Sequence, residues 1–177
     1  MACNIGLVGA GKLGLPVAVA LSWQLGQKVS VYDADPDKMK KRRYEHIEGA
    51  PGDRTFQELF DGSGIDFLPL REVVTNSDII FVAVQTPHDP AYDGSTPSPL
   101  EPKDFNYIYL KIAIEEIVRH VRKDQIISVI STVLPGTIRR DIMPIVGTRC
   151  GLVYNPFFAA MGTCVKDFLN PEFVLLG

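Results

Sequence analysis

The chain's 177 residues are enough for one domain with a sizeable core and few for two. Its composition, 46% hydrophobic and 22% charged with mean hydropathy near zero, excludes a disordered chain and a membrane-spanning one. A net charge of -3 gives no general attraction to nucleic acid or anionic lipid, so a small-molecule partner is expected and neither nucleic acid nor membrane is.

The first hundred residues alternate short β-rich runs with helical patterns, the signature of a mostly parallel sheet wrapped by helices, a doubly wound α/β domain over residues 1–177. Ile5 to Val8 make the first predicted strand. Lys12 to Leu25 carry Leu13, Val17, Ala20 and Leu21 at helical spacing, and a second strand ends near Tyr32. Between them GLVGAGKLGLP places Gly9, Gly11 and Gly14 after a strand and at the opening of a helix. Gly9 suits a sharp turn, Gly11 a close backbone approach to a pyrophosphate, and Gly14 tight helix-strand packing. Such a turn alone is equally a plain connection between packed elements. Asp33 decides: it stands at the end of the second strand, nineteen residues beyond Gly14, where a carboxylate accepts both ribose hydroxyls of an adenosine and repels a 2'-phosphate. NAD is therefore the expected cofactor. Asp33 as a helix cap is the weaker reading, since Asp35 before Pro36 holds the better capping position. Lys12 either reaches a phosphate or points to water, and water is favoured because a cation opposes the helix dipole there.

A helix is predicted from Pro36 to about Glu45. The basic run Lys38 to Glu48 fits a solvated helix face better than a phosphate or RNA patch, because acids follow directly and no aromatic residues interleave. The stretch Gly49 to Gly64 reads as a loop carrying one short helix. A brief strand at Ile65 to Leu68 and a buried central one at Asp78 to Val84 follow. Five prolines in the eighteen residues from Gln85 to Pro102 forbid regular structure, so a long loop leaves the carboxyl end of a central strand, where open α/β sheets bind ligands. Leu110, Ala113, Ile114, Ile117, Val118 and Val121 then share one helical face, and Gln125 to Ser131 give the fifth strand. A short helix to about Ile145, a strand at Leu152 to Tyr154 and a last one at Phe173 to Leu176 complete the reading. An apolar strand with no helix after it suggests an interrupted domain.

Thr86, Ser131 and Thr132 are the hydroxyls at the ends of the fourth and fifth strands, with Pro87 beside them, and capping a turn or facing a ligand suits each equally. His88 fits a solvent-facing loop better than an acid-base role, and His46 and His120 fit helix ends. Cys3, Cys150 and Cys164 are odd in number and lack metal or CxxC spacing, so reduced thiols in the cytoplasm are expected and no metal site is. The N-terminus lacks the basic start and apolar run of an export signal.

Taken in order, GLVGAGKLGLPVAVA, VYDADPDK, AVQTP with DGS soon after, STVLPGT and YNPFF...GTCVKDFLNPEFVLLG resemble the UDP-glucose/GDP-mannose dehydrogenase family, over its N-terminal, Rossmann-like NAD-binding domain. The resemblance implies a four-electron oxidation of a nucleotide sugar, UDP-glucose by default: the C6 alcohol becomes an aldehyde and then, through a thioester, an acid, as two NAD are reduced. It sets Gly9, Gly11, Gly14, Asp33 and Lys38 on the cofactor side, and Thr86 and Thr132 near the nicotinamide and reacting carbon, with Thr132 the candidate catalytic residue; Lys12, Leu13, Pro87 and Ser131, beside them in the chain, complete the candidate cofactor site. It also implies a homodimer of the full-length protein. The family's nucleophilic cysteine and catalytic lysine belong to later segments, so these 177 residues alone are expected to be inactive. Three positions depart from the pattern. Phe157 follows Asn155-Pro156 where the family has a glutamate, and a phenyl ring neither takes a proton nor holds water. Met161 replaces a frequent acid. Cys164 stands where a small residue is usual and reads as a packing thiol. Two other functions compete: a non-catalytic NAD-binding module, and the N-terminal domain of a related hydroxyacid dehydrogenase.

Overall fold

The computed structural model describes residues 3–40, 55–92, 100–160 and 162–177. Most of the basic run, His46, Asp93 to Ser95 and Met161 lie outside the described residues.

Six strands form one parallel sheet: β1 (Ile5–Val8), β2 (Val29–Tyr32), β3 (Ile65–Phe67), β4 (Ile79–Val82), β5 (Ile126–Val129) and β6 (Gly151–Tyr154). Their order is β3-β2-β1-β4-β5-β6, every neighbouring pair parallel. The chain leaves β1 toward one edge, then returns beside β1 as β4 and proceeds toward the other. The switch point therefore lies between β1 and β4, the place where such sheets open a crevice at their carboxyl ends.

Both faces of the central strands are covered, which is why they read as unbroken apolar runs rather than alternating ones. On one face Ile5, Leu7, Val29 and Val31 pack against Val17, Ala18 and Leu21 of α1 (Gly14–Leu25). On the other, Val8, Ile80, Val82, Ile127 and Val129 meet Val74 of α4 (Leu70–Asn76), and Leu110, Ile114 and Ile117 of α5 (Ile108–Val118). Ile142 closes a π-helical turn at Ile138–Ile142, and it joins that second cluster together with Val146 of α6 (Met143–Val146). Fully burying one such aliphatic side chain contributes about 1.5–3 kcal/mol. The doubly wound α/β architecture expected from the sequence is the one observed.

Short helices are set by local polar chemistry. Asp35 accepts the Asp37 amide at 3.0 Å as α2 (Pro36–Lys40) begins, the capping role its place before proline suggested. Thr55 and Glu58 form a reciprocal capping box on α3 (Phe56–Asp61). Three elements were not anticipated: α4, α7 (Cys164–Leu169), which packs against α1, and a single 3-10 turn at Pro90–Tyr92 within the proline-rich loop, whose first residue is itself a proline. One expectation is overturned: Phe173 to Leu176 form no strand. Only Gly177 pairs with β6, exchanging both backbone bonds with Tyr154 at 2.8 and 2.9 Å, and the four apolar side chains before it are 50–67% exposed. A run of apolar residues makes a strand only where a neighbouring ladder meets it along its length; here β6 pairs with Gly177 alone, and the run is otherwise held by the Asn155 side-chain amide on the Leu175 carbonyl and the Phe158 ring against Phe173. No helix among the described residues is long and apolar enough to cross a membrane.

Candidate functional site

The crevice begins at the turn between β1 and α1. Gly9 has φ +104°, and a methyl group there would lie 2.5 Å from the Ala83 carbonyl oxygen. A methyl at Gly14 would lie 1.8 Å from the Gly9 carbonyl oxygen. The chain's own packing thus demands both glycines. Gly11 differs: a methyl there would meet no atom of the protein within 4 Å, and its φ is not left-handed. Nothing in the fold requires glycine at this position, whereas a ligand laid against the turn would.

Asp33 stands over this turn at the end of β2, 9% exposed. Its Oδ2 accepts the Ala10 amide at 2.7 Å and its Oδ1 the Asp35 amide at 2.8 Å. The carboxylate therefore ties the glycine turn to the β2 exit, a structural role additional to the one anticipated. A carboxylate accepts at both oxygens, so one such group can serve several donors at once. The Lys38 ammonium is 3.5 Å from Oδ2 and half exposed. Lys12 is exposed, in line with the solvent reading, and Leu13 packs against the α1 cluster.

Across the switch point the fourth and fifth strand ends are stitched by side chains. The Thr86 hydroxyl donates to the Thr132 carbonyl at 2.7 Å, and that of Ser131 to the Val84 carbonyl at 2.7 Å. Ser131 is buried and serves structure, while Thr132 is exposed. Pro87 offers its carbonyl to the Asn106 amide at 2.8 Å, which draws the loop back over α5. The structure thus separates the candidates into two groups, Gly9 to Gly14 with Asp33 and Lys38 over β1 and β2, and Thr86, Pro87, Ser131 and Thr132 over β4 and β5. His88 is exposed, and its neighbour Asp89 pairs with Lys103 at 2.6 Å, which holds the Asp89 carboxyl below its usual range.

Sequence reasoning passed over a cluster behind the second group. Tyr107, 6% exposed, donates to Asp104 Oδ1 at 2.5 Å and accepts the Leu134 amide at 3.0 Å. Burial, then the bond to Asp104, pushes the phenol up from its ordinary value. Asp104, exposed, is held low by Tyr107 and by Arg140, 2.7 Å away. The only sequence signal was an aspartate three residues before a tyrosine at a helix start.

Phe157 lies in the α1-face cluster with Ala10, Leu13 and Ile130, its ring centroid 5.2 Å from that of Phe168. Together with Phe81, Asn155, Phe173 and Asp167 these rings line a groove of about 370 Å³. Cys164 is buried and donates to the Ala160 carbonyl at 3.4 Å, consistent with a packing thiol.

Residues 3–177 match the model of the UDP-glucose/GDP-mannose dehydrogenase family, NAD binding domain. The chain belongs to this family. It is 29% identical over 179 residues to a UDP-glucose 6-dehydrogenase of Rickettsia bellii, an alignment covering 98% of this chain and 38% of the relative. The structure resembles a UDP-glucose dehydrogenase of Pyrobaculum islandicum with a TM-score of 0.77 at 25% identity, over 100% of this chain and 41% of that one. A GDP-mannose dehydrogenase of Pseudomonas aeruginosa shares the fold with a TM-score of 0.79 at 24% identity, over 98% and 40%. The chain spans about two-fifths of the length of these relatives. It is the NAD-binding domain of a nucleotide-sugar dehydrogenase family, and the open space at Gly11 beside the Asp33 carboxylate fits that cofactor.

Proposed function

We propose that the chain is the NAD-binding part of a nucleotide-sugar 6-dehydrogenase, with UDP-glucose as its sugar nucleotide. The observation that carries the cofactor pose is Gly11, whose missing side chain the fold does not need. The pyrophosphate rests against Gly9, Gly11, Lys12, Leu13 and Gly14 at the α1 N-terminus, where the helix dipole favours anions. Asp33 accepts the ribose hydroxyls of the adenosine, and Lys38 keeps that carboxylate compensated. The nicotinamide half crosses the switch point to Thr86, Pro87, Ser131 and Thr132, where the exposed Thr132 hydroxyl meets the reacting centre. NAD supplies hydride acceptance; these residues hold it in reach and orient it.

UDP-glucose rests on the relatives at 25–29% identity, both of which act on it by description. The full-length protein is a cytoplasmic homodimer on this reading, which the family resemblance and the three cysteines without disulfide support. NADH formation by the full-length protein, measured at 340 nm with a panel of UDP- and GDP-sugars, tests the assignment; no turnover with any of them refutes it. Phe157 favours a second reading, a module that binds NAD without completing the oxidation, because its ring sits among apolar neighbours and offers no base. Normal NAD binding with no oxidation of any sugar would select that reading.

A further inference from the structure

The turn that follows β5, residues 131–137, carries Thr132 and has few ladder bonds of its own. Its near end is fixed by Ser131 and by the Thr86 bond to the Thr132 carbonyl. At its far end the Leu134 carbonyl accepts the Thr137 amide at 3.2 Å and the Gly136 carbonyl the Arg140 amide at 2.9 Å. A phenol ties this end back to the α5 approach: the Tyr107 hydroxyl accepts the Leu134 amide at 3.0 Å and the Thr137 hydroxyl at 3.3 Å, while donating to Asp104 at 2.5 Å. One partner is enough to satisfy a buried tyrosine hydroxyl. Here it has three, and two belong to the same turn. Asp104 is in turn clamped by Arg140 at 2.7 Å, Arg140 bonds Asp141 at 2.8 Å, and Asp141 pairs with Lys111 of α5 at 2.8 Å. The clamp thus returns to the helix that bears Leu110 and Ile114, in the core.

We propose that Tyr107, oriented by Asp104, is a positioning residue for the nicotinamide half of the NAD site, fixing the 131–137 turn so that Thr132 stands over the ends of β4 and β5. This rests on the NAD pose proposed above. The sheet order makes the effect one-sided. The glycine turn and Asp33 lie over β1 and β2, whereas both turn contacts of Tyr107 lie beyond β5. Loosening the turn should therefore weaken contacts to the nicotinamide and leave those to the adenosine and pyrophosphate intact.

Tyr107→Phe keeps the ring in the core and removes only the hydroxyl. The test compares NAD with ADP-ribose, which lacks the nicotinamide, by titration calorimetry on the full-length protein. Tyr107→Phe is expected to lower NAD affinity by about five- to tenfold, the worth of one lost hydrogen bond, while ADP-ribose affinity changes less than about twofold. Asp104→Ala, at an exposed position, repeats the comparison should Tyr107→Phe not fold, with the same selective loss at smaller size. Equal losses for both ligands, or none for either, overturn the positioning role. A wild-type protein that binds no NAD overturns the NAD pose itself, a result distinct from either.

Discussion

Gly11→Ala separates ligand space from folding space in one atom. The added methyl meets no protein atom within 4 Å, and the backbone there is not left-handed, so the folded state carries no clash. Alanine also narrows the unfolded ensemble, so the variant should be unchanged or more stable by about 0.4–1 kcal/mol. A pyrophosphate lying against the turn would collide with that methyl, and at least a tenfold loss of NAD affinity is expected, about 1.4 kcal/mol. Gly14→Ala is the contrast. Its methyl would lie 1.8 Å from a backbone oxygen that no rotamer change can move, so it should destabilise by about 3 kcal/mol or more. Thermal denaturation and NAD titration calorimetry on both variants provide the readout. Undiminished NAD affinity in a folded Gly11→Ala protein would refute the placement of the pyrophosphate.

Asp33→Ala leaves the Ala10 and Asp35 amides without their acceptor; a loss of about 1–3 kcal/mol is expected. In a domain of this size that lowers Tm by roughly 3–10 °C, and NADP should gain on NAD in competition; an unchanged Tm would mean that water replaces both bonds. Asp141 is held below its ordinary value first by Lys111 and then by Arg140. A depressed carboxyl stabilises the fold above its unfolded value near 3.8 and loses that contribution as pH falls through the folded value. Asp141→Asn should therefore be less stable at neutral pH and show a shallower loss between about pH 5 and 2 in acid titrations followed by circular dichroism; parallel curves would deny the pairing. Phe157→Ala removes a half-buried ring from its stack on Phe168 and should cost about 1–2 kcal/mol in urea denaturation; no change would mean that the ring contributes no packing.

The sheet was legible because β1 and β4 are apolar runs bounded by glycine or aspartate, and because Asp35-Pro36 marks a helix start by local chemistry. The helix α4 was not. Its core-facing residues Leu70, Val73 and Val74 fall at helical spacing but span little more than one turn, too short a window for a period to stand out along the chain. The same holds for Cys164, Val165, Phe168 and Leu169 in α7. Phe173 to Leu176 failed in the opposite sense: apolar content without alternation reports that burial is wanted, not what provides it. At the site, residue types and spacing pointed to the glycine turn and Asp33. That Asp33 also bonds an amide 23 residues earlier, and that Tyr107 reaches one 27 residues later, are nonlocal facts that no pattern along the chain encodes.

Those two bonds and the one from Thr86 to Thr132 share a physical cause. Parallel strands bond one another along their length, but beyond the last ladder bond each exit loop must find its own partners for backbone groups. In this fold, side chains supply them: Asp33 joins the β2 exit to the β1 turn, Thr86 joins β4 to β5, and Tyr107 joins the α5 approach to the turn beyond β5. The crevice is therefore built by the same bonds that finish the sheet. Stability and cofactor affinity should fall together at Asp33, whose carboxylate serves both. They should part at Gly11, where the surrounding atoms leave room for a side chain. A protein in which Gly11→Ala and Asp33→Ala shifted stability and NAD affinity in the same proportion would contradict that division, because the methyl at Gly11 would then disturb packing that its surroundings do not contain.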